Sequence, residues 1–208
     1  MLWKGLCTVS EHYFSANPLA KSEEREVMAE LRGHSLRFHT DAGVFSKKGV
    51  DFGSRLLVET AQIEPGSCVL DLGCGYGAIG IAIAKAVPQT TVVMVDVNER
   101  AVKLAEQNAR RNHVDGMVQV LKSDGFSAIH GQQFDCILFN PPIRTGKETI
   151  YRLFREAADA LVPDGSLWIV IRKQQGAASA KKELTSYFQD VDVVEQKKGY
   201  WIICAQGH

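Results

Sequence analysis

The sequence predicts an α/β protein: a doubly wound, mostly parallel seven-stranded sheet with a C-terminal antiparallel strand, preceded by a small N-terminal β-hairpin. Three observations carry this reading. Short continuous apolar runs recur between segments of helical length, the pattern of parallel strands covered on both faces. A glycine-rich stretch, Gly73-Cys-Gly75-Tyr-Gly77-Ala-Ile-Gly80, joins the first of these runs to its helix. The last two runs are linked only by Lys197-Lys198-Gly199. So short a connection permits a hairpin and no parallel crossover.

The elements follow in order. Val27-x-Ala29-x-Leu31 and Leu36-x-Phe38-x-Thr40 alternate around Arg32-Gly33, as hairpin strands do. Residues 51–61 read as a helix leading into the sheet. The first sheet strand is 67–71, after the Pro65-Gly66 turn, and it feeds a helix over 78–87 that Pro88 stops. Thr91 to Asp96 is the second strand, and Asn98 caps a helix whose apolar face is Ala101, Val102, Ala105 and Ala109. Residues 117–121 and 134–139 are the third and fourth strands. Ile150, Leu153, Phe154, Ala157 and Leu161 repeat at helical spacing, and Pro163-Asp164-Gly165 turns the chain into a fifth strand, 166–171. A helix around 181–188 precedes strands at 191–195 and 200–205, so the sheet is expected to end in an antiparallel strand.

With 208 residues, 45% hydrophobic and 23% charged, the chain can bury one sizeable core. Residues 1–16 are expected to be a disordered leader and 17–208 a single domain, with 17–50 as hairpin and loop and 51–208 as the core. No apolar run approaches the length of a membrane span, and the first nine residues are too short for a secretory signal. The five cysteines, Cys7, Cys68, Cys74, Cys136 and Cys204, show no C-x-x-C pair, so reduced thiols in a cytoplasmic protein and no bound metal are expected. Twenty-four basic residues balance twenty-four acidic ones. Contact with nucleic acid would therefore have to come from a local patch.

Gly75, Gly77 and Gly80 satisfy G-x-G-x-x-G, which alone suits any nucleotide. Charge narrows the choice. A dinucleotide places a pyrophosphate at the helix N-terminus. Asp71, directly before the loop, would repel that anion and suits a ligand carrying an ammonium group. S-adenosylmethionine has both an ammonium and a sulfonium. Asp96 closes the second strand, where a carboxylate can accept from both ribose hydroxyls, and Asp124 follows the third, where it could accept from an adenine amine.

The fourth strand ends in Asn140-Pro141-Pro142-Ile143. Proline fixes its backbone and donates nothing, so an amide followed by two prolines presents an array of acceptors. The Asn140 side-chain carbonyl and the Pro141 backbone carbonyl can both accept from one amino group and aim it. Methyl transfer then needs positioning and electrostatics, with no nucleophilic side chain. None of the histidines has a paired acid at motif spacing.

Asp71-Leu-Gly73-Cys-Gly75-Tyr-Gly77 resembles the first motif of class I methyltransferases, with similar architecture over about 51–205. The resemblance implies a Rossmann-like methyltransferase fold in which Gly73, Cys74, Gly75, Tyr76 and Gly77 wrap the methionine end of the cofactor. It implies that Asp96 with Val97 holds the ribose, that Asp124, Gly125 and Phe126 flank the adenine, and that Asn140 adjoins both cofactor and acceptor. The Asn-Pro-Pro tetrapeptide resembles that of methyltransferases acting on planar amines, with Ile143 where an aromatic is usual. Asn140-Pro-Pro-Ile-Arg-Thr-Gly-Lys147, with Gly43-Val-Phe-Ser46 and Asp51-x-Gly53-Ser-Arg55-Leu-Leu57, is similar to the bacterial 16S ribosomal RNA guanine-N2 methyltransferases, in a short form with one catalytic domain. That likeness implies that Ile143, Arg144 and Lys147 meet the substrate, with Lys47, Lys48 and Arg55 adding to a phosphate-binding patch. It also implies a partner that is small-subunit ribosomal RNA or an assembly intermediate, with the target base flipped or unpaired.

Other readings remain open at this level. Protein-glutamine and adenine-N6 methylation share the acceptor chemistry. A non-catalytic S-adenosylmethionine sensor would have no need of Asn140-Pro-Pro, and an NAD-dependent oxidoreductase is disfavoured by Asp71.

Overall fold

A computed structural model describes residues 25–41, 49–142 and 145–207. The expected leader, 1–16, lies outside the described residues. In chain order the elements are β1 (Arg25–Leu31), β2 (His34–Thr40), α1 (Phe52–Thr60), β3 (Cys68–Leu72), α2 (Ala78–Ala86), β4 (Thr91–Asp96), α3 (Glu99–Arg111), β5 (Val118–Lys122), β6 (Phe134–Phe139), α4 (Lys147–Ala160), β7 (Leu161–Arg172), α5 (Ala177–Leu184), β8 (Asp190–Lys197) and β9 (Tyr200–Gln206). No described helix is long and apolar enough to cross a membrane.

The main sheet has seven strands in the order β5-β4-β3-β6-β7-β9-β8, and β1 and β2 form a separate antiparallel pair. Strands β3 to β7 pair in parallel, while β9 lies antiparallel between β7 and β8. The antiparallel strand expected at the end of the sheet is thus the last in the chain but not at the edge. The short turn between β8 and β9 forces them to pair, and it leaves open which of the two joins β7. The chain order reverses between β3 and β6, the switch point at which open α/β sheets bind ligands.

Two apolar clusters cover the sheet. One holds buried residues of the hairpin, α1, α2 and α3 with one face of the sheet, among them Phe38, Leu57, Ile81 and the strand residue Met94. The other holds buried residues of α4 and α5 with the opposite face, among them Phe154, Leu184 and the strand residue Phe139. Two expectations shift. Residues 162–165 bulge within β7, so that Phe134 faces Leu161 and Cys136 faces Ser166, and the Pro-Asp-Gly turn belongs to the strand. The last helix, expected around 181–188, runs over Ala177–Leu184. Its start at Gly176, in the left-handed region, brings the good helix formers Ala177, Ala178 and Ala180 into it.

Side-chain amides hold the hairpin to the core. Asn108 of α3 accepts from the His39 N–H at 2.7 Å and donates to the His39 carbonyl at 2.9 Å. Asn112, one turn on, does the same with Arg37 at 3.0 and 2.8 Å. Asn108 also donates to the Tyr76 carbonyl at 2.9 Å, which links the hairpin to the glycine loop. At the hairpin tip, the Arg32 guanidinium donates to the Val58 and Ala61 carbonyls at the end of α1.

Asp71 is fully buried near the end of β3. Its Oδ2 accepts from the Gly80 N–H at 2.8 Å, and its Oδ1 has no partner among the described residues. Burial pushes its pKa up to about 7, with the nearby Asp96 charge adding and the Gly80 N–H opposing. Gly80 is needed for this approach of α2 to the sheet: a Cβ there would stand 2.5 Å from the Met94 sulfur.

Two outcomes follow. The folded pKa of Asp71 lies above the unfolded value of 3.8, so its proton stabilises the fold at low pH and that contribution is lost as pH rises to about 7. The ligand-free protein should therefore lose more urea resistance between about pH 5 and about pH 8 than Asp71→Asn does, and equal losses would show that Asp71 does not titrate there. Asn108→Ala leaves three backbone groups unpaired and should lower unfolding free energy by about 3 kcal/mol, with a loss below about 1 kcal/mol contradicting the strand-mimicking role.

Candidate active site

After β3 the chain turns through Gly73, Cys74, Gly75, Tyr76 and Gly77 into α2, and neighbouring strands hold this loop from outside. The Gly73 and Cys74 N–H groups both donate to the Val95 carbonyl at 2.9 Å. The Asp96 carboxylate accepts from Gly75 N–H at 2.9 Å through one oxygen and from Asn98 N–H at 2.8 Å through the other. Burial raises the pKa of Asp96, and these N–H groups oppose the shift. A carboxylate oxygen has two lone pairs, so Asp96 can brace the loop and still accept from hydroxyls beside it. Gly77 has φ of 89°, and a Cβ there would lie 2.9 Å from Ile81 Cδ1, so the turn into α2 requires glycine. Cys74 is buried, and burial raises its pKa well above the usual thiol range, which keeps it protonated.

The loop borders a cavity of about 350 Å³, within the size range of small-ligand sites. The lining brings together Gly73, Cys74, Gly75, Tyr76, Asp96, Val97, Asp124, Gly125, Asn140 and Pro142 from the residues the sequence singled out. Five others, Asp71, Gly77, Pro141, Phe126 and Lys147, do not line it. Asp71 sits behind the loop against Gly80, so its carboxylate acts on the fold and not directly on a ligand. Gly77 caps α2, and Pro141 is buried. Phe126 is a core residue on the α4 side of the sheet, 8% exposed, and does not line the cavity.

Asp124 lines the cavity, yet its carboxylate is 72% exposed and ion-paired with Arg152 at 2.8 Å. Arg152 also holds Glu156 at 2.9 Å, and its pKa is raised first by the bond to Asp124. Lys147 is exposed at the start of α4 and outside the lining. Arg55, expected in a phosphate patch, donates its guanidinium to the Glu30 carbonyl and so braces the hairpin. Ile143, Arg144, Lys47, Lys48 and the 43–46 segment lie outside the described residues. No cluster of three or more metal-ligating side chains occurs among the described residues.

The sequence reading missed one wall of the cavity. Asp51 and Ser54 enter it from the start of α1, and Thr149, Arg152 and Leu153 from α4. Asp51 caps α1 by accepting from Ser54 N–H at 3.0 Å, a pattern readable as a helix start but not as part of a site. The Ser54 hydroxyl then accepts from the Asn140 side-chain NH₂ at 2.9 Å. With its NH₂ edge anchored, Asn140 leaves its carbonyl oxygen as the remaining polar edge. Beyond it, the Pro142 carbonyl accepts from Thr145 N–H at 3.2 Å and Thr145 Oγ1 at 2.6 Å. No described residue donates to the Pro141 carbonyl. Neither proline carries an N–H, so Asn140 at the cavity wall and the Pro141 carbonyl next in the chain are both acceptors, which suits a group that donates two hydrogens, namely a primary amine.

Comparison with known proteins shows the family. A family model, the methyltransferase small domain, matches residues 35–204. The chain is 47% identical over 202 residues to YbxB of Bacillus subtilis, a protein of uncharacterized function, with 95% of this chain and 99% of that one covered. It is 34% identical over 177 residues to the ribosomal RNA large subunit methyltransferase G of Alcanivorax borkumensis, covering 82% of this chain and 44% of that one. Among solved structures, the T. thermophilus 16S rRNA N2 G1207 methyltransferase in complex with AdoMet and guanosine matches with a TM-score of 0.80 at 28% identity, over 93% of this chain and 53% of that one. The chain thus spans nearly all of YbxB and about half of each of the other two. On the family match and the shared fold, this chain belongs to the methyltransferase small-domain family of class I methyltransferases.

Proposed function

We propose that this chain uses S-adenosylmethionine to methylate the exocyclic N2 amine of a guanine in small-subunit ribosomal RNA, in the cytoplasm. The observation that carries the reading is the Ser54–Asn140 hydrogen bond, which turns an amide carbonyl into a fixed acceptor at the wall of a nucleoside-sized cavity. The cavity's polar groups fit the cofactor. Asp96 retains acceptor capacity for ribose hydroxyls, the neutral Cys74 and the glycines allow close backbone approach, and the Asp124–Arg152 pair offers both an acceptor and a donor at the rim. The cofactor supplies a methyl group on a positively charged sulfur.

This chain's own part is orientation. Asn140 Oδ1 and the Pro141 carbonyl each accept one hydrogen of the amine, which fixes the plane in which its lone pair points. The developing positive charge on nitrogen then faces two carbonyl dipoles. The named activity of the T. thermophilus structural relative, N2 of a 16S guanine, supports guanine over adenine and over glutamine as the acceptor. The large-subunit enzyme among the relatives makes the choice of ribosomal subunit a matter for experiment.

Tritiated-methyl transfer to naked ribosomal RNAs, assembled subunits and release factor tests the reading directly. Label should appear as N2-methylguanosine in digested small-subunit RNA, and label in methylglutamine or N6-methyladenosine would overturn it. Asn140→Ala should lower kcat by at least about a hundredfold, with S-adenosylhomocysteine affinity changed by less than about threefold. Ser54→Ala frees the Asn140 amide to rotate and should lower kcat about tenfold, the equivalent of one lost hydrogen bond. Ser54→Thr, which keeps the hydroxyl, should recover most of it, and normal turnover in Ser54→Ala would refute the orienting role.

A further inference from the structure

We infer that the corner of the sheet formed by the end of β7 and the β8–β9 turn, with the first turn of α1, grips the RNA backbone beside the acceptor nucleotide. The inference rests on the methyltransferase reading above and names a surface by which its substrate is held. Arg172 ends β7 and pairs with Tyr200 at the start of β9, Lys173 follows it, and Lys197 ends β8 opposite the same Tyr200. Lys198 and Gly199 make the turn between them. Four cations therefore share one corner, and all four are exposed.

Their pairing differs from that of six cations elsewhere in the molecule. Arg100, Lys103, Arg110, Arg111, Lys122 and Arg152 each face a carboxylate within 4.0 Å. Among the described residues, none of the four corner cations is in a salt bridge. Two of them lie instead on aromatic faces, with Arg172 4.8 Å from the centre of the Tyr200 ring and Lys198 4.9 Å from that of Phe52. Arg172 Nε also donates to the Tyr200 hydroxyl at 2.7 Å, and the two rings stand 5.6 Å apart. A ring face positions a cation without cancelling its charge. Unneutralised cations interleaved with aromatics are what a polyanion with exposed bases requires. Lys198 has φ of 49° in a two-residue turn that ordinarily selects Asn, Asp or Gly. The turn gains nothing from lysine, so its charge is the property that suits the position.

The corner adjoins the acceptor site. Phe52 follows Asp51, which lines the cavity, and Ser54, two residues on, holds Asn140. Between them Gly53 lies against Tyr200, where a Cβ would come within 2.9 Å of the ring. The first turn of α1 thus has one side in the cavity and the other on the cationic corner. A nucleotide whose base enters the cavity leaves its neighbours' phosphates at the mouth, beside these side chains. Phosphate contacts of this kind position a substrate without reading its sequence.

The test is the triple variant Lys173→Gln, Lys197→Gln, Lys198→Gln, compared with its triple Lys→Arg counterpart. Binding of fluorescent oligouridylate is followed by anisotropy across a salt series, beside kcat and KM on ribosomal RNA. Loss of three phosphate contacts should reduce the magnitude of the log K against log salt slope by about 2 and raise KM roughly tenfold, with kcat and S-adenosylhomocysteine affinity unchanged. The arginine variant should behave as the parent. An unchanged slope and KM, with Asn140→Ala still inactive, would overturn the corner as an RNA grip and leave the methyl-transfer reading standing. Tighter binding of polyglutamate than of oligouridylate would assign the corner to an acidic protein and likewise overturn it. Absence of transfer to any RNA by the parent chain would remove both.

Discussion

A loop that must reverse direction between a buried strand and a helix, while leaving space for a nucleoside, cannot rely on its own contacts. Asp96 supplies the external constraint here. One of its oxygens holds the Gly75 N–H and the other the Asn98 N–H at the cap of α3, so a single carboxylate sets both the loop and the start of the adjoining helix. The Val95 carbonyl takes the Gly73 and Cys74 N–H groups from the same strand end. With the loop fixed to β4, the opposite wall of the cavity on α1 and α4 has a stable partner to face. Preorganisation of this kind is what a reaction depending on orientation needs.

The acceptor side is built by the same economy. Asp51 caps α1 and so presents Ser54, and Ser54 fixes the amide of Asn140, 86 residues later in the chain. Neither α1 nor the end of β6 could orient that amide alone. The cationic corner begins on this same helical turn, through Phe52 and Gly53. The glycine loop, the Asn140 amide and the cationic corner therefore meet at the carboxyl edge of one sheet, near the point where its strand order reverses.

Much of this was legible in the sequence, for physical reasons that also mark where legibility ended. The strands at 91–96 and 134–139 announce themselves because burial on both faces demands runs that are almost wholly apolar. Gly77 and Asn140 stand out because a left-handed turn and an acceptor-only ledge tolerate few residue types. Asp71 shows the limit. Its place before the loop is plain, but whether its side chain enters the cavity or lies behind the loop depends on strand pleat and on the approach of Gly80. Phe126 is ambiguous in the same way, since a phenyl ring beside a site and one in the core read alike along the chain. Ser54, Thr149 and the Asp124–Arg152 pair stayed hidden because each is defined by a partner far off in sequence. The placement of β9 inside β8 is likewise a matter of packing, beyond what turn length can specify.

The amide ladder on the hairpin has an implication of its own. A two-stranded ribbon ordinarily exposes backbone groups along its rims and invites another chain to zip onto them. Here Asn108 and Asn112 occupy donors and acceptors along β2, while the Arg55 guanidinium takes the Glu30 carbonyl on β1. Side chains stand where a third strand would lie. The ribbon can thus remain two-stranded against the core without becoming a template for self-association, and substitutions at those asparagines should be judged for solubility as much as for folding.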